Sequence, residues 1–154
     1  MKLLSNSFKA NQEMPLQYTC WGEGISPHLQ WEDVPANTES FVLIVDDPDA
    51  VIGVFIHWLV INIPTHINML DEAILTLPSP AMHCTNSGNT AAYWRACPPS
   101  GTHRYFFKLY ALDNMLDLAS TATKVIIERA MSGHILAEAA LMAIRTNIVA
   151  AKKC

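Results

Sequence analysis

The chain has 154 residues, of which 51% are hydrophobic and 16% charged, and its formal net charge is −4. That balance excludes a disordered chain, and the lack of any basic cluster argues against a nucleic-acid partner. No apolar run approaches the roughly 20 residues of a membrane-spanning helix. The length predicts a single domain over residues 1–154, large enough to bury about 68–70% of the surface that the unfolded chain exposes.

In chain order, the start Met1-Lys2-Leu3-Leu4-Ser5-Asn6 stops being apolar too early for a signal peptide. The four cysteines, Cys20, Cys84, Cys97 and Cys154, show no CxxC spacing. Together these predict a cytoplasmic protein with free thiols. Residues 41–45 (Phe-Val-Leu-Ile-Val) read as a buried strand, cut off by Asp46-Asp47-Pro48-Asp49. Residues 54–63 form a second strand, ended by Pro64, and residues 104–112 a third. Prolines 15, 27, 35, 78, 80, 98 and 99 punctuate the intervals. The last third changes period. Ser120 or Thr121 is placed to cap a helix through about Met131, which Ser132-Gly133 breaks. A second helix is expected over residues 134–147, with Ile135, Leu136, Ala139, Met142 and Ala143 as its apolar stripe. The expected fold is mainly β, a sandwich of antiparallel sheets with one or two C-terminal helices. No helix separates the early strands, as a parallel sheet would require.

Three pieces concentrate polar chemistry. Asp46-Asp47-Pro48-Asp49 reads either as an ordinary turn or as a functional cluster, since neighbouring carboxylates need cations or donors to answer them. His57, in Phe55-Ile56-His57-Trp58-Leu59, is either a satisfied core histidine or part of a site. Strict alternation sets it beside Leu59, Ile61 and Ile63, with Trp58, Val60 and Asn62 on the other face. The third piece is Cys97-Pro98-Pro99-Ser100-Gly101-Thr102-His103-Arg104-Tyr105. The prolines stiffen the approach and Gly101 allows a tight return. Alternation then turns His103 and Tyr105 to one side and Arg104 to the other, where it suits a bidentate pair with an aspartate. GxSxG, HExxH, Walker and GxGxxG patterns are absent, and no histidine pair has metal-ligand spacing, so neither a metal nor a cofactor is expected.

In this order the pieces resemble the phosphatidylethanolamine-binding protein family, also called Raf-kinase-inhibitor-like proteins, in its bacterial branch. The resemblance rests on Tyr18-Thr19-Cys20 with Gly22, Ser26-Pro27 and Trp31; on Asp47-Pro48-Asp49-Ala50, Gly53 and His57-Trp58; and on Tyr93, Cys97-Pro98-Pro99, Gly101 and His103-Arg104-Tyr105. Leu109-Tyr110-Ala111-Leu112-Asp113 and Gly133-His134-Ile135-Leu136-Ala137 extend it. It implies a β-sandwich with a small surface pocket for phosphate-like anions and phospholipid head groups. Asp47, His57, the Cys97-Pro98 turn, His103 and Tyr105 would line that pocket. Pro48 and Asp49 would shape its floor, with Trp58, Gly101 and Arg104 as further support. The chain departs from the family pattern at Val51, Ala92, Arg95 and Ala96, and Arg95 brings a cation to the rim.

The leading functional expectation is a binding module for a phosphate-like anion or phosphorylated head group, with no catalysis. The alternative is a regulatory protein that inhibits a kinase or serine protease through loops around the pocket, with Trp94 and Arg95 as contact candidates. A hydrolase is the third reading, in which Cys97 would be the nucleophile. The hydrophobic content is compatible with a homodimer.

Overall fold

The computed structural model describes residues 1–148; Cys154 lies outside the described residues. Two antiparallel sheets are present. The smaller has the order β1 (Lys2–Leu4), β2 (Leu29–Glu32), β5 (Met69–Leu70). The larger has the order β6 (Met82–Cys84), β4 (Phe55–Ile63), β3 (Ser40–Asp47), β7 (Thr102–Leu112), β8 (Ile135–Thr146). Among the described residues one α-helix, α1 (Lys124–Met131), is present and precedes β8. Among the described residues no helix is long and apolar enough to cross a membrane.

The larger sheet is covered on both faces, so β3 has no solvent-facing side. One face packs against the smaller sheet through Phe41, Leu43, Val45, Trp58, Val60 and Phe107, which meet Leu3, Leu29 and Trp31. The other face packs under α1 through Val42, Ile44, Leu59 and Ile61, which meet Leu116, Ile127 and Met131. This double burial is why β3 reads as a continuous apolar run without alternation.

Strand β4 does not alternate strictly. Its pairing with β3 runs Phe41↔Ile63, Leu43↔Val60, Val45↔Trp58 and Asp46↔Ile56, with a register shift in each of the intervals Phe41/Leu43 and Val45/Asp46. Each shift is a bulge holding one extra residue on β4. The shift at Val45/Asp46 leaves His57 as the extra residue and returns it to the face of Trp58, which corrects its placement beside Leu59 and Ile61. The shift at Phe41/Leu43 contains Asn62 at φ 57°. Its Nδ2 donates to the Leu116 carbonyl and its Oδ1 accepts from the Leu116 N–H, both at 2.8 Å. Beyond it, Ile63 rejoins Trp58 and Val60 in the inter-sheet core.

The expected second helix is absent: β8 occupies that stretch. Its Ala, Leu and Met favour a helix locally, but β8 pairs with β7 from Thr102↔Thr146 to Leu112↔Ile135. Ladder bonds and the burial of Leu141 and Ala143 override propensity. Helix α1 also starts later than expected, with Thr123 rather than Ser120 or Thr121 at its N-cap. It stops at Ser132, followed by Gly133 at φ 82°.

Asn62→Ala leaves the Leu116 N–H and carbonyl buried and unpaired, and each such group costs about 1–3 kcal/mol. We therefore expect a loss of about 2 kcal/mol or more in urea unfolding, with the fold retained.

Candidate functional site

The C-terminal end of β3, the first half of β4 and the start of β7 converge on one cavity of about 320 Å³. Asp47, His57, His103 and Tyr105 line it, and all four are buried, at 4%, 5%, 7% and 1% exposure. Asp47 and His103 face each other because β3 and β7 are antiparallel neighbours and both side chains leave the inter-sheet face. The His103 Nδ1 to Asp47 Oδ2 distance is 2.7 Å. The other Asp47 oxygen, Oδ1, accepts from the Asp49 N–H at 2.8 Å.

The carboxylates of the 46–49 stretch are divided among separate partners. Asp46 points to the opposite face and pairs with Lys108 at 2.9 Å. Asp49 accepts from Arg104 Nε and Nη2, each at 2.9 Å, and from the Arg104 N–H. The guanidinium holds the Asp49 carboxyl down at about 2. Arg104 and Asp49 thus tie the β3–β4 turn to β7 outside the cavity.

His57 Nδ1 donates to the Trp94 carbonyl at 2.7 Å, and the Trp94 N–H donates to the His57 carbonyl at 2.8 Å. The ring packs edge-on to Tyr105, with centroids 5.2 Å apart, and against Phe55 at 4.7 Å. Burial pushes the His57 pKa below its ordinary value, although the Trp94 carbonyl and Asp47 pull it the other way. Burial likewise raises the Tyr105 phenol, helped by Asp47 and Asp49, so its hydroxyl stays protonated. For both histidines Nε2 has no partner among the described residues, while Nδ1 is committed.

The remaining wall comes from the long connection between β6 and β7. Buried Asn86 organises it, accepting from the Gly88 and Thr90 N–H groups and donating to Thr90 Oγ1 and the Ala92 carbonyl. Trp94 lies over Gly88 so closely that a Cβ there would stand 2.5 Å from the indole. Arg95 packs on Gly24 in the same way, at 2.9 Å, and lines the cavity.

Cys97 also lines it, but as half of a disulfide with Cys20 across 77 residues. This corrects the expectation of free thiols and removes the thiolate that a Cys97 nucleophile requires. The pairing follows from the fold: Thr19 bridges Ala96, the Cys20 N–H donates to the Ala96 carbonyl at 3.0 Å, and the two cysteine Cα atoms stand 5.4 Å apart. Cys84 is a buried free cysteine whose thiol burial pushes up to about 11.

Several expected site residues lie outside the cavity lining. Pro98 is buried, with its carbonyl accepting from Asn147 Nδ2 at 2.9 Å, and Pro99 lines the cavity instead. Pro48 borders a separate depression with Asp46, Phe106 and Lys108. Trp58 is core, edge-on to Tyr93. Gly101 supplies a turn at φ 64°. Conversely, the apolar rim of Val51, Ile52 and Phe55 was not anticipated; the charge-free run 50–56 between the aspartates and His57 was its signal. Among the described residues no group of three or more His, Cys, Asp or Glu could hold a metal ion.

Comparisons with known proteins agree on one family. The profile described as phosphatidylethanolamine-binding protein matches residues 4–146. A UPF0098 protein of Methanothermobacter thermautotrophicus is 45% identical over 145 residues, covering 92% of this chain and 96% of that protein. One from Aquifex aeolicus is 46% identical over 144 residues, covering 90% and 84%. The crystal structure of a phosphatidylethanolamine-binding protein homologue from Chlamydia trachomatis superposes with TM-score 0.89 at 38% identity, covering 95% of this chain and 97% of that one. The crystal structure of YbcL of E. coli, a new member of the mammalian PEBP family, gives 0.89 at 28%, covering 94% and 97%.

Because the disulfide closes a 77-residue loop, the Cys20→Ala/Cys97→Ala double variant should lose about 2–4 kcal/mol of stability in urea unfolding. Unchanged stability would show that the bond does not constrain the unfolded chain.

Proposed function

The chain belongs to the phosphatidylethanolamine-binding protein family, and from that premise we propose that its cavity binds a phosphate-monoester-type anion carried on a phosphorylated head group. One observation carries this reading: two buried imidazoles, His57 and His103, each have Nδ1 tied down and Nε2 without a partner beside a protonated Tyr105 hydroxyl. Asp47 does not act as a bare negative charge facing the ligand. Its oxygens are taken by His103 and the Asp49 N–H, so its role is to orient His103, and an ammonium group finds little carboxylate left to pair with. Arg95 adds a cation at the rim.

An anion entering this cavity favours protonated rings, because an opposite charge within about 4–6 Å stabilises the imidazolium. Each Nε2–H then donates to a phosphate oxygen, and Tyr105 adds a third donor. Burial keeps His57 neutral in the empty cavity near pH 7, so binding is coupled to proton uptake. As pH falls towards the lowered His57 pKa, that uptake becomes easier and affinity rises; below it, the gain levels off.

A second reading, regulation of an enzyme partner through the rim, is supported by Trp94, which is 37% exposed beside Arg95. Large aromatics and arginines are favoured interface anchors. Trp94→Ala would then abolish partner capture while leaving anion binding in place.

The anion reading is tested by following imidazole NMR signals during titration with inorganic phosphate and with phosphoethanolamine at several pH values. We expect tighter binding at lower pH. His57→Ala and His103→Ala should each weaken it roughly 10- to 100-fold, the worth of one charge-assisted hydrogen bond. If both variants bind as well as the parent, the cavity is not the anion site.

A further inference from the structure

Chemistry divides the cavity into an inner end and a mouth. The inner end holds the four buried polar groups Asp47, His57, His103 and Tyr105. Apart from Arg95, the rest of the lining is apolar, chiefly Val51, Ile52, Phe55, Trp94 and Pro99. Val51 and Ile52 are 79% and 91% exposed, so they stand at the mouth. Phe55 joins the two zones: its ring centroid lies 4.7 Å from that of His57 and 6.4 Å from that of Trp94. No residue from Ala50 to Ile56 carries a charge. A group held by His57 therefore has apolar surface next to it on the way out.

Single exposed apolar residues are ordinary, but adjoining ones at the edge of a polar site mark a surface that is covered on binding. Charge constrains what covers this one. Among the described residues, Asp47 is the only acidic group in the lining, and its two oxygens are engaged by His103 and the Asp49 N–H. Arg95, at the mouth, has no ion pair among the described residues. An ammonium end on a bound phosphate ester would meet a cation and aliphatic carbon. An alkyl end would meet surface of its own kind.

We propose that the cavity takes a phosphate monoester of an apolar alcohol, with the phosphate on His57, His103 and Tyr105 and the alkyl chain along Phe55 and Ile52. The proposal rests on the anion reading of the cavity and adds the chemistry of the ester group. Such an ester is either a free alkyl phosphate or a bilayer lipid whose head group is a bare phosphate, and the cavity reads the same atoms in both.

The test follows the His57 and His103 imidazole signals while the full chain is titrated with inorganic phosphate, with ethyl, propyl, butyl and hexyl phosphate, and with phosphoethanolamine. Affinity should rise roughly two- to four-fold per added methylene, as each CH2 leaves water. Propyl phosphate and phosphoethanolamine are equally long and differ in a methyl against an ammonium. The propyl ester should bind roughly 5- to 10-fold more tightly. The Val51→Ser/Ile52→Ser double variant alters two exposed loop side chains, so it should fold, and it should flatten the dependence on chain length. Phosphatidylcholine vesicles containing phosphatidic acid separate the two sources: cosedimentation assigns the lipid, and hexyl phosphate binding without it assigns the free ester. If inorganic phosphate shifts both histidines but all esters bind equally, this proposal fails and the anion reading stands. The same holds if phosphoethanolamine binds more tightly than propyl phosphate, or if the double variant keeps the full slope. If none of these anions shifts either histidine, both readings fall together.

Discussion

Strand β3 is buried along its whole length, and this constraint orders the rest of the molecule. A strand with no wet face can carry polar side chains only where each is answered by a specific partner. Asp46 and Asp47, at its C-terminal end, are nearly fully buried. An unanswered charge there would be strongly destabilising. Lys108 answers one and His103 the other. Asp49 just beyond is answered by Arg104. All three partners come from β7, the strand paired with β3 on that side. The ladder that completes the sheet therefore also neutralises its acidic end and delivers an imidazole to the cavity.

The opposite neighbour, β4, contributes by irregularity. Without the bulge, His57 would point under α1 with Leu59 and Ile61, and the cavity would keep only one histidine. With it, His57 stands edge-on to Tyr105 and bonds the Trp94 carbonyl, which couples the site to the 85–101 connection. That connection is fixed internally by Asn86 and externally by the bond between Cys97 and Cys20. The cavity is thus built from two strand ends that cannot move without breaking a ladder, and one loop tied down at several points. Such preorganisation limits what a ligand loses in ordering its receptor.

Much of this was legible in the sequence because it depends on short-range rules. The apolar run 41–45 announces a doubly buried strand, and alternation in 103–105 sends His103 and Tyr105 to one side. The rest depends on information that no local window contains. Nothing near His57 signals an extra residue; the hint is Asn62, a residue type that tolerates φ 57°, at the compensating bulge. The 135–146 stretch carries the composition of a helix and becomes a strand because β7 offers a complete edge. Cys20 and Cys97 look unrelated until the fold brings Thr19 beside Ala96.

The two bulges of β4 have a consequence for how this strand can change over time. Each extra residue inverts odd and even, and the two inversions cancel: Phe55 and Ile63 are odd, Trp58 and Val60 even, yet all four face the cavity and the inter-sheet core. Losing one residue at either bulge therefore acts on this strand as a frameshift acts on a gene, exchanging inside and outside for everything on one side of the lesion. Insertions and deletions are tolerated here only in compensating pairs. By this geometry β4 is locked in residue count, whereas a length change in an unpinned surface turn leaves its odd–even phase untouched.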